Sequence, residues 1–360
     1  MFDPAQVKSR AIYEHPERFY ALAADFANGR VYAGGTDYGL HVFDVAAEKR
    51  EALAVWRAHE NYLTALALVE RPEGKWLVSG GFDRRLIWWN TETGETLRTI
   101  NDAHAGWIRD AAAVPSAPLL ATAGDDMRVK LWDASAGAPV REFSGHHPRT
   151  PQGHPNALYA IAVSPDGKHL AGGDRTGEVR IWELETGALL QQFAVPILYT
   201  YDPRQRKRSI GGIRSLAFSP DGTRIAAGGI GQIDNVDGLA GPLHVELWDW
   251  RQPRLLAALS SDGHQALANA LLFHPTAPWL IAAGGGSDNG VLAFWKIDAL
   301  PEAPQASTTE TAEGQAPPPP QPINGQKQSF EGHAQRLLIN PAATELLVAG
   351  YRRLEAWTVA

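Results

Sequence analysis

The sequence predicts an all-β chain folded as a ring of repeated four-stranded antiparallel sheets. Three observations point there. An aromatic ends one apolar strand in each of seven stretches: Phe43, Trp89, Trp132, Trp182, Trp248, Trp295 and Trp357. The intervals between them are 46, 43, 50, 66, 47 and 62 residues, a period of the length that one small sheet needs, with the long intervals holding insertions. Each stretch also repeats the same internal order of strand and turn signals.

Within a unit the order runs as follows. An alternating apolar strand comes first, as at 63–69, 158–163 and 213–218. A turn such as SPDGK (164–168) or SPDGT (219–223) follows, where Pro fixes φ and Asp-Gly supplies positive-φ geometry. Next is a strand of small residues, as in LVSGG, LLATAG, LAGGD and IAAGG, which lets neighbouring sheets approach closely. The aromatic-ended strand is third, and a turn often of the form ETG leads to the fourth. Such units arranged radially make a seven-bladed β-propeller. Only three residues follow Trp357, so the last unit lacks its outer strand, and the strand-like stretch 7–13 is expected to supply it and clasp the ring.

Bulk properties fit this reading. The 360 residues are 44% apolar and include 35 Gly and 25 Pro, enough for a large core and many tight turns. The net charge of −7 gives no overall attraction to nucleic acid or an anionic membrane. Cysteine is absent, which excludes disulfides and thiolate metal sites. No apolar run reaches the length of a signal peptide or a membrane span, so the chain reads as soluble and cytoplasmic, and monomeric by itself. Residues 1–360 read as one domain. Residues 300–327 form a Pro-rich insertion in unit six, too poor in apolar residues to order itself. Its Pro317–Pro320 run favours a polyproline helix, a spacer or a docking peptide. Further insertions lie at 196–210 and 229–244.

Two units carry a more specific signal. His59, Ser79, Asp83 and Trp89 in unit two match His104, Thr122, Asp126 and Trp132 in unit three, with hydroxyl-to-Asp and Asp-to-Trp spacings of 4 and 6 in both. The pattern resembles the WD-repeat family, in which such a quartet forms a hydrogen-bond chain across each blade. The chemistry is sound, since four buried polar groups that satisfy one another avoid the cost of burying each alone. Other units are degenerate. Unit four offers His154 and Trp182 with Asp174 displaced and Thr176 in its place. Unit five has Ser209 for His, unit six His264, Asp288 and Trp295, unit seven His333 and Trp357, and unit one Asp37 and Phe43.

This phase makes the recurrent histidines structural rather than catalytic. The adjacent pair His146 and His147 is a weak metal signal. No GxSxG, phosphate-binding loop or HExxH occurs, so no catalytic, cofactor-binding or metal residue is assigned. The basic run 204–208 is a solvated loop or a partner contact. Trp248-Asp249-Trp250-Arg251 resembles the WDxR box by which some WD-repeat proteins dock onto a ligase adaptor.

The resemblance implies a non-catalytic scaffold that binds protein or peptide partners on the narrow rim, near the third and fifth residues after each blade His. Carried over, these positions single out Tyr62, Trp107, Arg109, Tyr159 and Arg214, residue types that dominate binding hot spots. They are expected to form one patch over units two to five. The alternatives are a quinoprotein-like propeller enzyme, for which WNTETGETLRT matches only the TG of the docking pattern, and a sensor of a small ligand or peptide in the central channel.

Overall fold

The computed structural model describes residues 2–47, 49–71, 74–203, 208–233, 240–286, 289–298 and 323–359. Residues 204–207, Asp288 and most of the 300–327 insertion, Pro317–Pro320 included, lie outside them, so the readings placed there do too.

The chain is an all-β propeller of antiparallel blades. Three four-stranded sheets begin at Leu63–Arg71, Ile108–Ala113 and Leu158–Val163, and each ends in a strand after its tryptophan: Thr96–Ile100, Ala138–Phe143 and Leu189–Ala194. A fourth starts at Ser215–Phe218 and gains a fifth, parallel strand, Ile323–Asn324, along its outer edge at Arg254–Gln265. A further four-stranded sheet runs from Leu267–Phe273 to Gln326–Phe330. A separate hairpin, Tyr199–Asp202 with Arg208–Gly211, occupies the insertion between the units of Trp182 and Trp248.

The expectation of seven separate four-stranded blades is corrected to six propeller sheets. The first and last units form one six-stranded sheet, so the seven aromatic anchors fall on six sheets. The cause is the 18-residue strand Lys8–Asp25. Its first half pairs with Glu345–Thr358, from Lys8 opposite Thr358 to Glu14 opposite Arg353. Its second half pairs with Arg30–Gly35, from Phe19 opposite Gly35 to Asp25 opposite Arg30. Register slips between Glu14 and Arg18, and again at Phe19, bend the strand from one pairing to the other.

The core lies between sheets. Leu63, Leu66 and Leu77 of one sheet pack against Ala21, Tyr32 and Leu40 of the preceding one, and the remaining junctions repeat the arrangement. The small-residue strands explain this closeness. A Cβ on Gly34 would stand 2.2 Å from a Leu63 methyl of the next sheet, and one on Gly173 would stand 2.5 Å from Ile213. Blade tryptophans Trp88, Trp89, Trp182 and Trp295 are among the largest fully buried side chains.

Innermost strands of neighbouring sheets are joined by side chains rather than by a ladder. Thr64 Oγ1 donates to Ile108 O at 2.6 Å, and the Ile161 amide donates to Asp110 Oδ2 at 3.0 Å. Ser215 Oγ donates to Ala268 O at 2.8 Å, Asn269 Nδ2 to Ala334 O at 2.9 Å, and Arg336 to Thr64 O at 3.3 Å. These bonds cross five of the six junctions between neighbouring sheets. Among the described residues, no helix is long and apolar enough to cross a membrane.

Candidate functional site

Two kinds of polar grouping stand out, one inside the blades and one at the mouth of the channel. Inside the sheet of Trp89, His59 Nδ1 lies 2.8 Å from Asp83 Oδ2 and His59 Nε2 lies 2.6 Å from Ser79 Oγ. Trp89 Nε1 donates to the same Ser79 Oγ at 2.8 Å. A carboxylate only accepts, so Nδ1 carries the proton, Nε2 accepts from the serine hydroxyl, and that hydroxyl accepts from the indole. The next sheet repeats the chain: His104 Nδ1 to Asp126 at 3.0 Å, His104 Nε2 to Thr122 Oγ1 at 2.8 Å, and Trp132 Nε1 to Thr122 Oγ1 at 2.9 Å. Burial works to raise the Asp83 and Asp126 carboxyls, but the paired histidine and two backbone N–H groups hold both below the usual carboxylate range.

Ser/Thr, His and Asp are the residue types of a hydrolytic triad. Here Ser79 and Thr122 are fully buried and engaged by an indole on one side and an imidazole on the other, so their oxygens present no nucleophile to solvent. The groupings tie strands together.

In the sheet of Trp182 the expectation based on His154 is corrected. His146 takes the place, its Nδ1 3.0 Å from Asp174 Oδ2, both side chains fully enclosed. Asn156 Nδ2 donates to the same carboxylate oxygen at 3.0 Å, while Thr176 donates to the other at 2.8 Å. Glu178 is 3.9 Å from His146, so His146, Asp174 and Glu178 have the spacing of a metal-ligand set. His154 instead lies beside Tyr201, 6.0 Å between rings. The loop bridged by Arg149 and Pro155 separates His146 from its strand and upsets counting by sequence interval. A second close set, His15, Asp37 and His41, already has Arg57 3.0 Å from Asp37.

His264 Nε2 lies 2.7 Å from the Asn289 carbonyl, and His333 is half-buried beside Tyr351. In the WDxR-like stretch Trp248 stacks on Phe193 at 4.4 Å, and Trp250 is buried with its indole N–H donated to Gly222 O. Both rings of that stretch are therefore engaged, Trp248 against the preceding sheet and Trp250 within its own.

The channel mouth gathers residues from all six sheets around a cavity of about 260 Å³. Tyr62, Arg109, Tyr159 and Arg214 line it. Trp107 does not line it but stacks on Phe82, which does, at 4.1 Å and 9° between planes. Trp107 is 45% exposed and Tyr62 36%, large for aromatic side chains with a blade core available to them. The Arg109 guanidinium lies 4.9 Å from the Phe82 ring, 5.0 Å from Trp107 and 5.4 Å from Tyr159. Asp125 fixes it with two hydrogen bonds of 2.7 and 2.8 Å. Arg214 lies 4.1 Å over the same Tyr159 ring, so one phenol meets two guanidinium groups. Enclosure lowers the Arg214 affinity for its proton, Tyr159 works to raise it, and neighbouring Arg109 and Arg175 lower it further.

Three more lining residues, Tyr20, Phe82 and Arg336, escaped the reading by phase. Tyr20 belongs to the long first strand, Phe82 follows a small-residue strand, and Arg336 sits one place from the position counted. The aromatic positions join into an arc, with Tyr38 5.9 Å from Tyr62 and Tyr62 5.7 Å from Phe82. Arg336 approaches Asp110 at 3.6 Å, and the channel pushes the Asp110 carboxyl up against that pull.

Comparison with known proteins fits this geometry. The family model described as WD domain, G-beta repeat matches four segments, 50–90, 94–133, 137–183 and 206–235. The chain carries WD repeats. Among similar proteins, WD repeat-containing protein VIP3 of Arabidopsis thaliana is 25% identical over 234 residues, 64% of this chain and 66% of that protein. A guanine nucleotide-binding protein subunit beta of Zea mays is 25% identical over 222 residues, 58% of this chain and 54% of its own. Nuclear distribution protein PAC1 of Arthroderma benhamiae is 25% identical over 232 residues, 60% of this chain and 45% of its own. The WD-repeat chain thus spans less than two thirds of each relative's length.

Proposed function

We propose that this WD-repeat chain is a non-catalytic interaction scaffold, one domain over residues 1–360, that receives protein or peptide partners at the channel mouth. The reading is carried by one observation. Four of the five side chains picked out by repeat phase line a single cavity, and the fifth, Trp107, packs against its wall while staying exposed. Exposed aromatic faces held rigid by arginine offer contact area at little entropic cost. Arg109, clamped by Asp125, holds Phe82, Trp107 and Tyr159 in one arrangement before any partner arrives. Relatives described as a G-protein β subunit and as a transcriptional corepressor are consistent with work done by contact.

Such a platform must be rigid, and we attribute closure of the ring to the pairing of residues 8–14 with 353–358. The test of the surface is a Trp107→Ala/Arg109→Ala double variant. Peptides selected from a displayed library on the intact chain should lose binding to the variant at least tenfold, since hot-spot truncations cost about 2 kcal/mol or more. A variant that keeps every selected peptide and folds normally by circular dichroism sinks the reading.

A further inference from the structure

The channel mouth collects positive charge on a chain whose net charge is −7. Arg109, Arg214 and Arg336 all line the cavity, and Arg175 is close enough to act on Arg214. Their partners differ. Arg109 is neutralised by the two-pronged bond to Asp125, and Arg336 has Asp110 at 3.6 Å. Arg175 spends its guanidinium on the Ser209 carbonyl at 2.8 Å. Among the described residues Arg214 pairs with no carboxylate, and its enclosed Nε has no hydrogen-bond partner. Its guanidinium lies 4.1 Å over the ring of Tyr159.

A partly buried guanidinium that lacks an anion costs stability, because its desolvation is not offset by a counter-charge. Two other arginines beside it deepen the cost. A fold with no use for that charge would do better with an apolar side chain of similar length. The arrangement becomes favourable when an oxyanion enters the cavity, because a guanidinium fork binds planar oxyanions with two parallel bonds.

We propose that the channel mouth is a carboxylate-binding site, in which Arg214 takes one acidic group of a partner, flanked by the ring of Tyr159. This rests on the reading that partners bind at the mouth. The charge count selects the ligand class. With Arg109 and Arg336 each facing an aspartate, Arg214 is the cavity-lining arginine that pairs with no carboxylate among the described residues, and one such fork suits a carboxylate better than a phosphate dianion. The carboxylate comes from an aspartate or glutamate side chain or from a chain terminus, since both present the same two oxygens.

The full-length chain tests this with phenylacetate, which joins a carboxylate to an aromatic ring, followed by ligand-observed NMR. Phenylacetate should bind, its neutral isostere phenylacetamide should not, and phenyl phosphate should bind more weakly than phenylacetate. An Arg214→Met variant should weaken phenylacetate roughly tenfold or more, as expected for loss of a charge-assisted pair. Two short peptides then identify the source, one blocked at both ends with a single glutamate, the other with a free C-terminus and no acidic side chain. Displacement of phenylacetate by either supports the proposal and names the donor. Displacement by neither overturns the assignment to a partner. Equal binding of phenylacetamide, tighter binding of phenyl phosphate, or full binding to Arg214→Met overturns the site. Thermal melting of ligand-free Arg214→Met gives an independent reading. Its Tm should match or exceed that of the intact chain, and a fall of several degrees would mark Arg214 as a structural residue. If only these arms fail while the Trp107/Arg109 variant still loses its peptides, the mouth binds partners by another chemistry.

Discussion

Replacing Thr122 with valine isolates the energy of one blade network. The two side chains have nearly the same shape, so the change removes a hydroxyl and leaves packing in place. Thr122 is fully buried and its oxygen serves two groups, accepting from Trp132 Nε1 at 2.9 Å and donating to His104 Nε2 at 2.8 Å. Both lose their partner in a site closed to water. Leaving a buried polar group unpaired costs about 1–3 kcal/mol, so the pair predicts a loss of roughly 3 kcal/mol or somewhat more. At about 2.1 cal/mol/K per residue, a 360-residue chain that melts as one unit has an unfolding entropy near 0.76 kcal/mol/K. The expected fall in Tm is therefore about 4 °C. Differential scanning calorimetry of Thr122→Val beside Thr122→Ser reads it. Serine keeps the hydroxyl and loses one methylene, a cost of about 1 kcal/mol. A valine variant that melts at or above the serine variant refutes the idea that the hydroxyl is what holds His104 and Trp132 in the blade.

The N-terminal segment and acid give two further tests. Deleting residues 1–14 exposes the edge of Glu345–Thr358 and removes buried Phe2, Val7 and Tyr13. At about 1.5–3 kcal/mol per large apolar side chain, the truncated chain should melt several degrees lower, and a Tm within a degree or two of the intact chain refutes closure by that strand. Burial depresses His15, His274 and His333 below their ordinary value of 6.5, with His41 adding to the effect on His15 and Arg18 on His333. The folded state therefore binds fewer protons than the unfolded one, and stability falls as pH drops below 6.5 towards the folded values. Asp83, Asp126 and Asp174 are also depressed, so their contribution is present above the unfolded value of 3.8 and is lost as pH falls through the folded values. Melting scanned from pH 8 to pH 3 should show a decline in both windows, and His333→Gln should flatten the upper one. A Tm that rises between pH 7 and pH 5 contradicts the first assignment.

Much of the blade plan was legible because it is written in local chemistry. SPDG at 164–167 and 219–222 supplies its turn whatever surrounds it, and glycines such as Gly34 and Gly173 stand where the next sheet leaves no room for a Cβ. The groupings of His59 and His104 were legible because hydroxyl, Asp and Trp keep fixed spacing along adjacent strands. What the sequence concealed depended on events between elements. The long strand Lys8–Asp25 merges the first and last units: Pro16, which cannot donate to a ladder, marks the slip between the two pairings, but nothing local shows that both halves join one sheet. His146 displaced His154 because a loop of its own lies between the histidine and the strand, and interval counting cannot see a detour. Tyr20, Phe82 and Arg336 reach the cavity from positions that repeat phase does not mark.

Phe82 and Trp107, face to face at 4.1 Å beneath the guanidinium of Arg109, have an optical consequence. Most of the twelve tryptophans lie within the blades, whereas Trp107 is 45% exposed. Its emission belongs at the long-wavelength edge of the spectrum, where it can be monitored selectively. Whatever settles into the neighbouring cavity and shifts Arg109 changes the field over that one indole, so the chain carries a native fluorophore at its own doorway and needs no dye to report occupancy.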